Sequence, residues 1–362
     1  MLKDTLFFMR KLKNLFMLLA IVCFIVAFYF QATNRIYSLI ALAVGLILFP
    51  NPMTKGGYLF RSILALICIG FAAYIYLGYF PNAIIQHEIG ELTVHYIDVG
   101  QGESTFIELP NQETILIDAG TYEEGVNVTN YIKKLGYTKI DYVVVTHSHA
   151  DHIGGMSQIL PSFKVKEVYI SNPPVELNPD SYSYHHFLDL IKQKQLNLQY
   201  AYTGTTIIDK DNVLFKVISP KKDANYIDLN QYSLMTYLKF GNTAFLFTGD
   251  AGYSAEYDLE AGDIQANVLQ VGHHGSSFGT STPFLKRVLP EIAIISVAAE
   301  NENNLPNVNT ITSIENENIK IYRTDQSGSI IVSSDGNTIT NIETTGPRLH
   351  VVAPEPDLVP NN

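Results

Sequence analysis

One short segment restricts what this chain can fold into more than any other feature. Residues 146–155 read THSHADHIGG and directly follow the apolar run 142–145, which predicts a buried strand. Four side chains of the segment can bind metal, namely His147, His149, Asp151 and His152. Three of the chain's ten histidines lie within six residues at the end of one strand. The segment, called the metal loop below, therefore predicts a metal site rather than a chance cluster.

The spacing within the metal loop suits two metal ions. His147 and His149 are two residues apart in a single tight loop, so their imidazoles can bind one ion. Asp151 and His152 follow directly and can grip a second ion. Zn²⁺ favours imidazole nitrogen and carboxylate oxygen, and Mn²⁺ also accepts carboxylate ligands. We therefore expect two divalent ions, with zinc preferred and manganese as the alternative.

Two later segments end predicted strands with further candidate ligands. Residues 247–250, FTGD, place Asp250 where one carboxylate could bridge two ions, although alone it would be an ordinary turn aspartate. Residues 269–276, LQVGHHGS, place His273 and His274 side by side after another strand. One of these two histidines could complete the ligands of the second ion, and the sequence does not choose between them.

Together these segments resemble the metallo-β-lactamase superfamily. Within it, the chain is most similar to the hydrolase domain at the C-terminus of ComEC-type DNA-uptake (competence) proteins. The resemblance covers residues 92–341. Besides the metal loop, it is carried by residues 96–104 (YIDVGQGES), 116–120 (LIDAG), 230–234 (NQYSL), 248–250 (TGD) and 273–276 (HHGS).

The resemblance implies an α/β fold, the αβ/βα sandwich, in which two mixed sheets flanked by helices hold metals at their strand ends. It also implies the ligand set His147, His149, Asp151, His152, Asp250 and one of His273 and His274. Asp250 would bridge the ions, and Asp151 and Asp250 would lie at the catalytic centre. A water held between the ions would ionise near neutral pH and act as the nucleophile.

Three further residues are candidates for supporting roles. Asp118 is expected to orient the metal loop through hydrogen bonds rather than to bind metal. Asp98 could act in the same way, or it could be an ordinary turn carboxylate at a strand end. Ser276 could donate a hydrogen bond to a substrate phosphate, or it could simply cap a turn or a helix.

The chain departs from the ComEC-type pattern at two positions. Glu103 stands where the subgroup usually carries aspartate after the Gly-Gln-Gly turn, which is a mild change. Leu305 stands where the subgroup usually has the histidine of a Gly-His-Pro segment. The missing imidazole leaves the metal loop intact. It weakens a direct transfer of nuclease activity, because it concerns substrate handling or proton delivery.

The first 80 residues differ in composition from the rest. Apolar runs at 15–30, 36–50 and 62–80 predict three transmembrane helices, since a span needs about 20 mostly apolar residues. A cleaved signal peptide followed by core helices is the alternative. Basic residues cluster before residue 14 and are absent from 81–132, which by the positive-inside rule puts the C-terminal domain outside. We expect a multi-pass protein of the cell membrane with an extracytoplasmic domain.

The predicted organisation is therefore transmembrane helices in 1–80, a linker in 81–91, a hydrolase domain in 92–345 and a disordered, proline-containing tail in 346–362. Alternating apolar runs predict the strands 92–98, 104–109, 113–118, 141–146, 167–170, 213–218, 234–240, 243–248, 266–271, 292–296 and 329–333. Helical spacing predicts helices at 127–135, 184–192 and 282–288.

Charge and cysteine content limit the partners. Seven of the 24 basic and one of the 35 acidic residues precede residue 81, which leaves 17 and 34 downstream, a formal charge of −17. So acidic a domain is poorly suited to bulk electrostatic capture of nucleic acid, although bound divalent ions would offset the charge locally. The two cysteines, Cys23 and Cys68, lie in apolar runs, so no disulfide partner and no cysteine-based zinc finger is expected.

Three functions are compatible with these features. The leading expectation is a membrane-anchored phosphodiesterase that acts on extracytoplasmic DNA, by resemblance. The alternative substrate is a phosphodiester of the cell envelope, such as a teichoic-acid or lipid head-group bond, which membrane tethering suits equally well. The third is a non-catalytic binding protein on the same fold, against which the intact ligand set argues. The expected partners are accordingly the lipid bilayer and one of these phosphodiesters.

Overall fold

The computed structural model describes residues 90–262 and 264–347. The expected transmembrane helices, most of the expected linker and most of the expected tail lie outside the described residues. Within these ranges, no helix is both long enough and apolar enough to cross a membrane. The described residues form two β-sheets with helices on their outer faces.

In chain order the strands are β1 (Leu92–Tyr96), β2 (Thr105–Glu108), β3 (Thr114–Ile117), β4 (Lys139–Val145), β5 (Lys164–Ile170), β6 (Leu198–Tyr200), β7 (Thr206–Lys210), β8 (Val213–Ser219), β9 (Met235–Phe240), β10 (Thr243–Phe247), β11 (Val268–Gln270), β12 (Ile292–Ile295), β13 (Lys320–Arg323), β14 (Ile330–Ser334) and β15 (Ile339–Thr344). The α-helices are α1 (Gly125–Lys134), α2 (Ala150–Ile153), α3 (Met156–Ser162), α4 (Tyr182–Gln193), α5 (Tyr253–Asp258), α6 (Thr282–Val288), α7 (Val308–Asn316) and α8 (Thr324–Ser327).

Both sheets are mixed, and each changes from antiparallel to parallel pairing at one strand. The first sheet has the order β15-β14-β1-β2-β3-β4-β5-β6, antiparallel as far as β3 and parallel from β3 to β6. The second has the order β13-β12-β11-β10-β9-β8-β7, parallel from β13 to β10 and antiparallel beyond. The expected αβ/βα sandwich is confirmed.

Strand β4 shows how the layers are held together. Tyr142 and Val144 belong to the core between the two sheets, whereas Val143 and Val145 pack in the core beneath the helices of the first sheet. Phe284 of α6 lies in the equivalent core outside the second sheet. Because β4 is apolar on both faces, it is buried on both faces, and each such side chain contributes about 1.5–3 kcal/mol.

Close backbone packing fixes the metal loop against its neighbours. A Cβ atom on Gly155 would lie 2.0 Å from the carbonyl oxygen of Ala119, and one on Gly102 would lie 2.4 Å from that of Asp151. The N–H of Ala119 donates to the carbonyl of His152 at 2.8 Å. The loops after β1, β3 and β4 therefore meet with no room for side chains at these two glycines.

Candidate metal centre

Loops at the ends of parallel strands bring the candidate ligands together around Asp250, which follows β10. Oδ1 of Asp250 lies 3.3 Å from Nε2 of His152 and 3.7 Å from Nε2 of His274. Oδ2 of the same carboxylate lies 3.8 Å from Nε2 of His147 and 3.7 Å from Nε2 of His273. The four imidazoles thus differ in the carboxylate oxygen that they approach, while the rings of His147 and His152 also lie side by side, with centroids 4.2 Å apart.

The first group faces Oδ2 of Asp250. Nε2 of His147 lies 2.9 Å from Nδ1 of His149, and these are the two histidines spaced two residues apart in the metal loop. Nδ1 of the buried His147 ring lies 3.1 Å from Oγ1 of Thr146 and 3.3 Å from Oγ of Ser233. Hydroxyl partners on Nδ1 leave Nε2 as the atom that can bind an ion.

The second group faces Oδ1 of Asp250. Oδ2 of Asp151 lies 3.7 Å from Nε2 of His152 and 3.2 Å from Nε2 of His274. One ligand atom from each of these three residues lies within 4.8 Å of the others. Between the two neighbouring histidines that the sequence left open, the geometry groups His274 with Asp151 and His152. His273 instead approaches Oδ2 of Asp250.

The histidine turn (Gly272–Gly275) explains why two adjacent rings reach different oxygens. His273 and His274 both have left-handed backbone conformations, with φ of 50° and 54°, which non-glycine residues seldom adopt. The N–H of His273 donates to the carbonyl of Gly249 at 3.0 Å, and Nδ1 of His274 lies 2.9 Å from the carbonyl oxygen of Ser296. Such strain persists where the surrounding structure imposes it, and it is typical of functional sites.

Asp118 follows β3 and contacts the metal loop rather than the space between the imidazoles. Its Oδ1 accepts the N–H of Thr146 at 2.8 Å. Its Oδ2 accepts the Thr146 hydroxyl at 2.6 Å and lies 2.8 Å from Nδ1 of His152. A carboxylate on Nδ1 keeps a proton there and orients the ring so that Nε2 of His152 points into the cluster.

The buried charges shift one another strongly. Although burial raises their values, the neighbouring histidines hold the pKa of both Asp151 and Asp250 well below the ordinary range. Although burial opposes it, Asp250 raises the pKa of His152 well above its ordinary value and that of His274 to about 9. Burial and the nearby His152 charge lower the pKa of His147. The two carboxylates therefore stay ionised, and they favour the protonated, positively charged forms of His152 and His274.

Unpartnered atoms test whether this cluster fits metal ions. Among the described residues, buried Nε2 of His152, Oδ1 of Asp250 and Oε1 of Glu103 have no hydrogen-bond partner. Buried polar atoms are usually paired, so three orphans pointing into one cluster need an explanation. Imidazole nitrogens and carboxylate oxygens are the ligands of Zn²⁺ and Mn²⁺. The residues present therefore fit divalent ions.

Two predicted supporting residues lie in other surroundings. Oδ1 of Asp98 accepts the N–H of Gly100 at 3.3 Å, so this carboxylate shapes its own turn. The hydroxyl of Ser276 accepts the N–H of Phe278 at 3.3 Å, directly after the histidine turn. Roles of Asp98 and Ser276 toward the metal loop or the substrate stay predictions.

Two residues of the cluster were not among the predicted site residues. The hydroxyl of Ser233 accepts the backbone N–H of Asp250 at 3.1 Å and also contacts His147. Ser233 lies in the NQYSL segment, so its signal was present in the resemblance. Glu103 is buried beside His152 and His274, and its signal was an acidic residue directly after the Gly-Gln-Gly turn.

Comparison with known proteins identifies the superfamily of this chain. The family model of the metallo-beta-lactamase superfamily matches residues 97–299, and the chain belongs to this superfamily. It is 28% identical over 256 residues to ComE operon protein 3 of Bacillus subtilis, covering 66% of this chain and 32% of that protein. It is 27% identical over 259 residues to competence protein ComA of Neisseria gonorrhoeae, covering 70% and 34%.

These comparisons confirm the resemblance to ComEC-type competence proteins. The chain spans only about a third of the length of the curated relatives it matches. Among solved structures it is similar to Igni18, a metallo hydrolase from Ignicoccus hospitalis, at 16% identity and a TM-score of 0.39 over 66% of this chain and 98% of that one.

Proposed function

We propose that this chain is a membrane-anchored, dinuclear, metal-dependent phosphodiesterase that hydrolyses DNA on the outer side of the cell membrane. The observation that carries the dinuclear part is Asp250, whose two carboxylate oxygens each face a separate pair of imidazoles at 3.3–3.8 Å. A single carboxylate between two nitrogen-rich groups is the arrangement expected of a bridging ligand. The superfamily fold supports a metal-dependent hydrolase independently of the substrate.

The side chains would divide the work as follows. Ions held by these residues would supply an acidified water and would polarise the attacked phosphoryl oxygen. Asp250 would hold the two positions at a set separation, one oxygen for each. Asp118 holds the His152 ring, and the Ser296 carbonyl holds the His274 ring, so that both present Nε2 to the second position. Closely packed backbone around Gly155 keeps the metal loop from moving.

DNA is proposed as the substrate because the relatives are competence proteins. The membrane anchor and the extracytoplasmic position rest on the apolar runs and on the charge bias of the first 80 residues. The formal charge of −17 downstream of residue 80 disfavours nonspecific capture of a polyanion.

One observation favours the alternative substrate, a phosphodiester of the cell envelope. Leu305 replaces the subgroup's histidine, and its neighbour Pro306 lies directly against the histidine turn, within 2.6 Å of where a Cβ on Gly275 would be. Leu305 itself packs against the core outside the second sheet. Leu305, an apolar residue, thus lies in the chain segment next to the metal ligands, at the position where the DNA-uptake subgroup carries an imidazole.

The test is metal content together with hydrolysis, measured on the full chain in detergent. Mass spectrometry would count the ions, and the substrates would be DNA, bis-nitrophenyl phosphate and a glycerol-phosphate teichoic acid. The loss variant is Asp151→Ala with His152→Ala. Its matched control is Asp180→Ala with His185→Ala, an exposed Asp–His pair at 2.7 Å outside the cluster.

The outcomes separate the candidates. Two ions per chain, with DNA hydrolysis lost only in the loss variant, support the proposal. Cleavage of teichoic acid but not DNA would favour a cell-envelope phosphodiester as the substrate. Two ions without hydrolysis of any of these phosphodiesters would favour a binding protein on the same fold. A chain that binds no metal would overturn the proposal entirely.

A further inference from the structure

Glu103 is a buried carboxylate to which no role has yet been given. It follows the Gly-Gln-Gly turn after β1, and only 2% of its surface is exposed. Among the described residues its Oε1 has no hydrogen-bond partner. An ionisable group buried with an unpartnered oxygen is costly unless a charge nearby compensates for it.

The backbone of Glu103 is attached to the metal loop itself. Its N–H donates to the carbonyl of Asp151 at 3.1 Å, and its own carbonyl accepts the N–H of Gly120 at 2.8 Å. The preceding Gly102 has φ of +140° and packs against the same Asp151 carbonyl. The position from which the Glu103 side chain starts is therefore set relative to the second group of ligands.

The side chain of Glu103 points into that group. A Glu103 oxygen lies within 4.8 Å of ligand atoms of Asp250 and His274, and likewise of Asp118 and His152. Two of these neighbours are carboxylates, which repel a third one in a buried site. A cation among them would remove the repulsion and would also give Oε1 its missing partner.

We propose that Glu103 is a direct ligand of the second metal ion, beside Asp151, His152, His274 and Asp250. The inference rests on the proposed dinuclear site and extends its ligand set by one carboxylate. The second position would then hold three carboxylates and two imidazoles, whereas the first is dominated by imidazoles. A carboxylate attached through the backbone to Asp151 would also tie the loop after β1 to the ion.

The reach of the side chain provides the discriminating variant. Glu103→Asp keeps the negative charge but withdraws the carboxylate by one carbon–carbon bond, roughly 1.5 Å. Glu103→Gln keeps the length but removes the charge. A direct ligand needs both length and charge, whereas a purely electrostatic role needs only the charge. Glu108→Gln is the matched control, since Glu108 is a buried glutamate of the neighbouring strand β2 that pairs with His95 at 2.7 Å.

The experiment is a Co²⁺ titration of the full chain in detergent, followed by visible absorption, with Zn²⁺ competition against a chelator to give dissociation constants. For both Glu103→Gln and Glu103→Asp, we expect the dissociation constant of the second ion to rise at least about tenfold, with the first unchanged. The Co²⁺ bands of the second ion should change as it loses a donor. Glu108→Gln should bind both ions as the wild type does.

Each contrary result has a separate meaning. If Glu103→Asp binds like the wild type while Glu103→Gln does not, the carboxylate acts by charge at a distance and the proposal is overturned. Wild-type affinity in both variants would overturn it as well. If the wild type binds no ion, the proposed function fails together with this inference. Should Glu103→Gln fail to fold by circular dichroism, the shorter acidic variant decides the question.

Discussion

Nδ1 of His152 lies 2.8 Å from Oδ2 of Asp118, although the two residues are 34 positions apart in the chain. The same carboxylate accepts two hydrogen bonds from Thr146, at 2.8 and 2.6 Å. With Nδ1 engaged, Nε2 of His152 faces Oδ1 of Asp250 at 3.3 Å. The loop after β3 thus sets the ring orientation in the loop after β4.

We therefore expect Asp118→Asn to weaken binding of the second ion by about 10- to 100-fold while the chain still folds. An amide nitrogen at the position of Oδ2 cannot accept a hydrogen bond from the N–H at Nδ1 of His152. The ring would lose its orientation, and the first ion would be little affected. Chelator competition with Zn²⁺ measures the two affinities separately.

Asp141→Asn is the matched control for this variant. Asp141 lies near the start of β4, the neighbour of the strand that Asp118 follows; it is buried and accepts the N–H of Thr114 at 3.0 Å. This variant should lower the melting temperature without changing metal affinity. Equal metal affinity in Asp118→Asn and wild type would show that Asp118 does not orient the ring.

Gly155→Ala tests the close packing beneath the metal loop. The added Cβ would lie 2.0 Å from the Ala119 carbonyl oxygen, so backbone must shift. Overpacking of this kind costs about 1–3 kcal/mol, and we expect at least that loss in urea unfolding. Gly262→Ala, whose Cβ would meet nothing within 4 Å, should change stability by less than about 0.5 kcal/mol. Similar losses in both variants would contradict the packing argument.

Much of the candidate site was predictable because its residues lie where strands end. The ligands follow β4, β10 and β11, and the loops after parallel strands meet at one edge of the sheets. Helix α6 was predicted at its observed bounds, since Ser281 caps it and Pro283 lies in its first turn. These sequence signals can be read without knowing which residues are buried, because each lies within a few neighbouring residues of the chain.

Other elements lack a local signal. Strand β6 is three residues long, and β15 is an edge strand with only Ile339 and Ile342 partly buried, so neither shows strong alternation. Helix α2 is four residues long and contains His152, and Gly154 and Gly155 separate it from α3. That His273 and His274 approach different oxygens of Asp250 depends on left-handed backbone at non-glycine residues, which tertiary contacts impose.

That difference gives a prediction of its own through double variants. Asp151 and His274 face the same position, so His274→Ala should add little to the loss of metal caused by Asp151→Ala. His273 faces the other oxygen of Asp250. Adding His273→Ala to Asp151→Ala should therefore lower the affinity for the remaining ion by about tenfold or more. Metal counts at increasing free Zn²⁺ would measure this. If His273→Ala and His274→Ala lower metal affinity equally in the Asp151→Ala background, the two histidines bind the same ion.

A second buried glutamate supports the segment that carries the histidine turn into α6. Glu256 of α5 is 5% exposed and accepts the backbone N–H groups of Thr280 and of Ser281, the latter at 3.0 Å. Burial raises the pKa of Glu256 above its ordinary value of 4.5, against the opposing effect of these hydrogen bonds. The folded protein therefore holds this proton more tightly than the unfolded chain does.

The sign of the pH dependence follows from that difference. Glu256 contributes stability that is fully present below about pH 4.5 and is lost as the pH rises through the raised pKa. Glu256→Gln cannot ionise, so its melting temperature should gain on that of the wild type between pH 4.5 and 7.5. A tenfold change in a protonation equilibrium is worth about 1.4 kcal/mol, or roughly 3–6 °C in a domain of this size. Calorimetry at several pH values measures the difference, and the exposed control Glu302→Gln should show none. If the melting temperature of Glu256→Gln does not rise relative to that of the wild type over this pH range, the raised pKa of Glu256 is contradicted. A relative fall would mean that the fold stabilises the charged form of Glu256.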